Sequence, residues 1–555
     1  MRHLLLSVAV LALVACSTSG DQNKNNTQAD EIVVTGSRIK GKPSSYPSPA
    51  VVAQPQMIGR DGSMGGAPLP PRIDGYYPEQ DTSEYADYDP SAFKDVAVEP
   101  VSTFSADVDT ASYALTRQYV ERGERPPDGS VRIEEMINYF DYDYALPESL
   151  NAPFRPNIAV TPSPWNRDTQ LLHIGIKGYD DIAADRPPLN LVFLIDVSGS
   201  MNAPNKLPLV KRSMGILVDQ LRPEDRISIV TYASGEEVVL KAARGSEKDK
   251  IMAAVNALNA GGSTAGAAGL QKAYEMAERY FKRGGVNRVV MATDGDFNVG
   301  ISDPEALKNY VTEKRETGVY LSIFGYGLGN IKDNRIQALA QNGNGTAGYI
   351  DSVREARKVF DDDFSGNLFP IANDVKIQVE FNPAVVGSYR LLGYETRALA
   401  RQDFNDDKVD AGDIGAGHSV TAIYEISPNS TGQGDVDPLR YSEEHLRAAD
   451  FQGEIAFVKL RYKKPGEDVS KLISRPVTAR DVYASMNNAP ESARFATAVA
   501  AYAMKLRGDD SVTALSWADI TTMANSAKGA DPYGYRAEFV ALSRDAALIK
   551  EPEGK

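Results

Sequence analysis

The residues with the clearest chemical capacity are oxygen donors. Asp196, Ser198 and Ser200 stand in the string Asp196-Val197-Ser198-Gly199-Ser200, Thr264 follows Gly261-Gly262-Ser263, and Asp294 sits in Thr293-Asp294-Gly295. Two carboxylates and three hydroxyls brought to one crevice suit a hard divalent ion. Mg2+ takes a few such oxygens and completes a near-octahedral shell with water; Mn2+ or Ca2+ accepts the same donor types. No Cys or His lies near these residues in sequence to favour zinc or copper. The adjoining glycines let tight loops turn without steric cost.

Such a crevice needs elements that end together. Leu191-Val192-Phe193-Leu194-Ile195 is a continuous apolar run, as in a strand buried on both faces, and it leads directly into Asp196. A helical pattern at 205–222, a strand at 226–232, helices near 246–258 and 265–283, and a strand at 288–293 follow. A helix at 303–316, a strand at 319–324, a helix at 331–342, a short strand at 346–350 and a helix at 352–363 close the series. Alternating strands and helices predict an α/β fold with a doubly wound, mostly parallel sheet over 189–366. Ligand sites in such sheets lie at the carboxyl ends of the strands, where Asp196 and Asp294 fall.

The D-x-S-x-S string, the later Thr264 and the later T-D-G resemble, in order and spacing, the von Willebrand factor type A domain and its metal-ion-dependent adhesion site. The resemblance implies that Ser198, Ser200 and Thr264 contact the ion by hydroxyl oxygen. It implies that Asp196 and Asp294 ligate directly or through water, with one coordination position left for a carboxylate of a partner protein. The competing reading of D-x-S-x-S alone is a capping turn after a strand.

Other chemistries lack their residues. The chain has 555 residues, a formal net charge of −15, one Cys and four His. That balance argues against nucleic acid as a partner, since phosphate binding needs clustered Lys and Arg. One Cys excludes an internal disulfide and a Cys-based zinc cluster. There is no P-loop, H-E-x-x-H or G-x-S-x-G string. Gly343-Asn344-Gly345-Thr346-Ala347-Gly348 fits G-x-G-x-x-G, but it follows a helix and precedes a strand, the reverse of a dinucleotide fingerprint. Asp403-Phe404-Asn405-Asp406-Asp407 lacks the Gly and Glu of a calcium loop, and Asp361-Asp362-Asp363 reads as a solvated helix end. No enzymatic activity is expected. A metal-dependent hydrolase would need a base beside the ion, from His173 or His418.

The single Cys has a use of its own. Leu4 to Ala15 is apolar and too short to span a bilayer, which takes ~20 residues. It ends in Leu13-Val14-Ala15-Cys16, which resembles the lipobox of bacterial lipoproteins. The resemblance implies a signal peptide over 1–15, acyl chains such as palmitate on Cys16, and stable membrane anchoring by several chains. Ser17, rather than Asp, after the cysteine favours the outer membrane, on its periplasmic face, with surface exposure the alternative. Residues 16–100 read as a tether: 10 of the 32 prolines fall in 41–100, amid Gly, Ser, Asn and Gln. One β-prone island interrupts it, Glu31-Ile32-Val33-Val34-Thr35-Gly36 running on to Ile39. It resembles the energy-coupling region of TonB-dependent receptors, which implies strand addition to a TonB-like partner. A plain linker segment is the preferred reading.

The flanks complete the expected organisation. Residues 101–150 read as an N-terminal helical module with helices at 104–113 and 132–140, and Asp107 and Asp109 as helix caps. Residues 157–180 and 372–480 alternate with period two, predicting a β-sandwich into which the α/β unit is inserted. Residues 488–548 predict a helical C-terminal module, with helices at 491–507, 512–526 and 535–548. The stretches around 101–145 and 531–539 resemble those of a group of bacterial type A lipoproteins with such flanking modules. The expected function is a lipid-anchored protein that binds a protein ligand presenting Asp or Glu through the metal; the alternative is an envelope scaffold whose type A domain does not bind by metal.

Overall fold

The computed structural model describes residues 83–85, 89–106, 109–180, 186–262, 267–295, 303–327, 332–429 and 453–549. The signal peptide, Cys16, the island at 31–39, most of the tether, Asp107 and Thr264 lie outside the described residues. In chain order the first elements are β1 (Lys94–Asp95), β2 (Val101–Ser105), α1 (Ala111–Glu121), α2 (Ile133–Asn138), β3 (Phe154–Pro162) and β4 (Gln170–Gly178). Then come β5 (Leu189–Asp196), α3 (Leu207–Asp219), β6 (Arg226–Tyr232), β7 (Glu236–Arg244), α4 (Lys248–Ala257), α5 (Ala267–Arg279), β8 (Val286–Thr293) and α6 (Pro304–Glu316). They are followed by β9 (Val319–Tyr326), α7 (Asp333–Asn342), β10 (Ala347–Ile350), α8 (Val353–Arg357) and α9 (Phe364–Leu368). The last are β11 (Pro370–Phe381), β12 (Val386–Leu391), β13 (Gly412–Gly415), β14 (Ser419–Pro428), β15 (Glu454–Lys463), β16 (Lys471–Thr478), α10 (Glu491–Arg507), α11 (Trp517–Ser526) and α12 (Tyr535–Ala546).

The α/β unit has the order β10-β9-β8-β5-β6-β7. Five strands are parallel, and β7 closes the edge antiparallel to β6. Every residue of β5 and of β8 is buried, because helices cover both faces of the sheet. On α3, Leu207, Val210, Met214, Leu217 and Val218 are buried at helical spacing and pack against that sheet. The fold class therefore matches the expectation, with β7 an addition. The span expected as one helix at 352–363 is instead α8, a π-turn over Lys358–Asp362, and then α9.

The unit is inserted between β4 and β11, which belong to two flanking sheets. One has the order β1-β12-β14-β4-β3; the other is β13-β11-β15-β16, with β2 also on β11. Their inner faces share one core, including Phe104, Leu172, Ile176, Val379, Phe381, Tyr424 and Val458. Residues 101–105 correct the sequence reading: they form a strand, not a helix start. Lys376↔Ser105 to Glu380↔Val101 pair antiparallel, although α1, α2, β3, β4 and the α/β unit lie between them in the chain. Only that distant partner reveals the β-branched Val101 and Thr103 as strand residues.

The N-terminal and C-terminal helices form a single core. Tyr113, Ile137 and Phe140 pack with Phe495, Val499, Tyr502, Ile520 and Phe539. Helix α10 is buried nearly all round, as its run of alanines permits, and ends at Gly508 with φ +81°. The helix expected at 512–526 starts at Trp517, where Ser516 caps it. Asp109 also departs from its expected role. It is Thr110 that stands before α1; Asp109 accepts from the Ala347 amide at 2.8 Å and from Arg397 at 3.0 Å, tying the edge strand β10 to the sandwich.

His173, on β4, is buried between Thr161 and Thr497, 3.3 and 3.4 Å from its Nε2. Burial pulls its pKa down to about 3. A histidine that unfolded would titrate near 6.5 thus stays neutral in the fold. Below pH 6.5 the unfolded chain binds the extra proton, so stability falls as pH falls, down towards the folded value. We expect a loss of about 2 kcal/mol between pH 7 and pH 5 from this group alone. Urea denaturation of wild type and His173→Asn over that range checks it; parallel pH profiles in the two proteins would refute it.

Candidate metal centre

The carboxyl ends of β5 and β8 lie side by side, with Ile195 in register with Ala292. Asp196 and Thr293 are the last residues of these strands, so Asp196 and Asp294 face the same end of the sheet, both essentially buried. Asp196 Oδ1 accepts from the Ser198 amide at 2.8 Å, which bends the chain back beneath the carboxylate. The Ser198 and Ser200 hydroxyls are then 3.0 Å apart. The loop of Gly261 and Gly262 is bonded to this turn: Gly261 N donates to Val197 O at 2.8 Å and Gly199 N to Gly262 O at 3.1 Å. Gly262 has φ +85°, and a Cβ there would meet Ser234 Oγ at 2.6 Å, so the position requires glycine. Thr264 follows two residues later, outside the described residues.

Four of the five expected donors are therefore described, and they come together. The chemistry of the set fits a hard cation. Asp196 Oδ2 is buried without a well-aligned hydrogen bond, although the Tyr232 hydroxyl on β6 lies near enough to interact with it. Burial, with the Asp294 charge adding to it, pushes the Asp196 pKa up to about 6 against the bonds from Ser198. A buried anionic oxygen without a well-aligned donor is a costly group that a bound cation would stabilise. Among the described residues no three His, Cys, Asp or Glu cluster as a metal site, so any ion here depends on the hydroxyls as well as the two carboxylates.

One residue of the site has no counterpart in the sequence reading. Lys206, immediately before α3 and 4% exposed, places Nζ 3.0 Å from Asp294 Oδ2. Gly327, just beyond β9 with φ +82°, leaves room for it: a Cβ there would lie 2.5 Å from Lys206 Cε. The only available signal was a lysine at the start of the helix expected at 205–222, which reads as ordinary surface.

The two described histidines stand elsewhere. His173 lies on the face of β4 that meets α10, between Thr161 and Thr497. A cavity of about 380 Å3 lies where the three parts of the body meet, lined in part by Lys177, Arg288, Lys358, His418 and Tyr535, and neither Asp196 nor Asp294 lines it. Asp361 and Asp362 bond to Gln220 and Tyr535 on other elements, and Asp363 pairs locally with Lys358, so the run is not a purely solvated helix end. Residues 401–405 form a 3-10 turn, with the Asp403 and Asp406 carbonyls accepting from Lys376. No helix among the described residues is long and apolar enough to cross a membrane.

Comparison with known proteins gives three family matches along the chain. The von Willebrand factor type A domain family matches residues 190–362. A family described as "Uncharacterized protein YfbK, C-terminal" matches 366–549, and one described as "von Willebrand factor" matches 79–173. YfbK of Escherichia coli (strain K12) is 44% identical over 468 residues, which span 83% of this chain and 80% of the relative. Inter-alpha-trypsin inhibitor heavy chain H3 of Mesocricetus auratus is 25% identical over 255 residues, 43% of this chain and 29% of the relative. Among solved structures, a von Willebrand factor type A protein from Catenulispora acidiphila aligns with 74% of this chain and 98% of its own at TM-score 0.40 and 15% identity. Type A domains mediate protein–protein interactions, are generally non-enzymatic, and commonly bind a divalent ion.

Proposed function

The chain belongs to the YfbK family of bacterial type A-domain proteins, and from that premise we propose that it binds a protein ligand through a divalent ion. Asp196, Ser198, Ser200, Thr264 and Asp294 would hold the ion, with Mg2+ the best match to an all-oxygen set and Mn2+ or Ca2+ alternatives. The ion would supply local positive charge and a coordination position for a partner Asp or Glu. The observation that carries this reading is the buried Asp196 Oδ2, which lacks an aligned donor beside two paired hydroxyls. The body would be tethered by acylated Cys16 to the outer membrane, facing the periplasm. The lipobox-like string and the proline-rich stretch after it support that placement. Segment 31–36 remains a candidate strand for a TonB-like partner only by its sequence.

The test is affinity capture from envelope extracts with the full chain. A specific protein should be retained in Mg2+, lost in EDTA, and lost with Asp196→Ala. Undiminished capture in EDTA would contradict the reading. A second reading, a scaffold whose type A unit works without metal, is favoured by one observation: Lys206 already neutralises Asp294. Normal capture by an Asp294→Ala variant would favour it.

A further inference from the structure

Lys206 is a buried ammonium inside the cluster of oxygen donors, and the fold makes room for it. Its chain runs over Gly327, where a side chain would collide with it, and its head reaches Asp294 Oδ2 at 3.0 Å. Both partners are at most 5% exposed in their side chains, so water screens this pair little. The charges then sum simply. Without an ion, ionised Asp196 and Asp294 with Lys206 leave the site at −1. With a divalent ion the site becomes +1. Without Lys206 the same loaded site would be neutral.

We propose that Lys206 is a resident cation that sets the strength and the ligand preference of the metal centre. It occupies one oxygen of Asp294 when the ion is absent, and it repels the ion when it arrives, so it weakens ion binding. In the loaded site it supplies the surplus positive charge that an incoming carboxylate meets. It acts on ion and ligand through Asp294 and through its own field, and in so buried a site one unit charge a few ångströms away is worth about a tenfold change or more. This inference rests on the metal-binding reading above.

The experiment measures Mg2+ and Mn2+ binding by the full chain calorimetrically, for wild type, Lys206→Met and Lys206→Gln, with denaturation of each metal-free protein alongside. Ion affinity should rise about tenfold or more in both variants, while the metal-free variants are less stable because Asp294 loses its partner. Acetate, added as a carboxylate probe to the ion-loaded proteins, should bind the variants more weakly than wild type. Two results would overturn the proposal: ion affinity equal to wild type, or ion affinity lower than wild type, which would make Lys206 a positioning residue for Asp294. Binding by the variants alone would support Lys206 as the occluding cation while refuting a metal-dependent wild type. Binding by none of the three would overturn both readings. If Met at this position prevents folding, the Gln variant, one atom shorter than Lys but still a hydrogen-bond donor, carries the comparison.

Discussion

Asp196→Asn is expected to make the metal-free protein more stable at pH 7.5 while it removes ion binding. The carboxyl is buried, with its pKa pushed up to about 6, whereas an unfolded aspartate titrates near 3.9. A raised carboxyl pKa means that the fold prefers the protonated form. Its stabilising effect is present below the unfolded value and is lost as pH rises through the folded one. At pH 7.5 the ionised group costs up to about 3 kcal/mol, the equivalent of the two-unit shift. Asn carries no charge and still offers an oxygen to the Ser198 amide, so it should recover much of that. At pH 4 the two proteins should be nearly equal. Urea midpoints at both pH values, in EDTA, check this; a less stable Asp196→Asn at pH 7.5 would contradict it. In excess Mg2+ the order should reverse, because ion binding stabilises only the chain that retains both carboxylates. Ion affinity should drop by more than the roughly 10- to 100-fold that loss of an outer-shell partner costs.

The second large effect lies at the contact of the helical core with the type A unit. Arg117 on α1 reaches Asp351 at 2.5 Å, Glu355 at 2.8 Å and Glu538 at 2.7 Å, and only 3% of its side chain is exposed. Tyr139 donates to the same Glu355 at 2.8 Å. One guanidinium thus serves carboxylates from the end of β10, from α8 and from α12. Removing it strands charges that burial already disfavours: Glu355 is held above the usual carboxylate range by burial even with Arg117 present. Arg117→Met should therefore destabilise the protein by about 3–5 kcal/mol at pH 7.5. The deficit should shrink towards pH 5, since the stranded carboxyls protonate more readily in the fold than in the unfolded chain. Denaturation at the two pH values measures it. A deficit under 1 kcal/mol, or one that grows on acidification, would count against the network as the tie.

How much of this was legible in the sequence depends on range. Asp196, Ser198 and Ser200 are local: five consecutive residues after an apolar strand state both the donors and their place. Asp294 needed only the further step that parallel strands end on one side. The flanks were harder. Strand β2 pairs with β11 across the whole inserted unit and more, and β7 is an edge strand half open to solvent, with an irregular pattern and bulges against β6. Neither presents a periodic signal strong enough alone. Asp109 looked like a cap because capping is the commonest local use of such a residue; its real partners, Ala347 and Arg397, lie more than two hundred residues away. Lys206 was invisible for the same reason. Its meaning comes from Asp294 and Gly327, which only the fold brings to it.

The metal centre is the central claim, and direct titration tests it. Mg2+ added to the EDTA-stripped full chain, followed by calorimetry and by the unfolding temperature, should show one saturable site and a rising melting point in wild type. Neither should appear in Asp196→Ala. Heats and melting points that do not respond to Mg2+, Mn2+ or Ca2+ in wild type would contradict the account and leave the type A unit a metal-free scaffold.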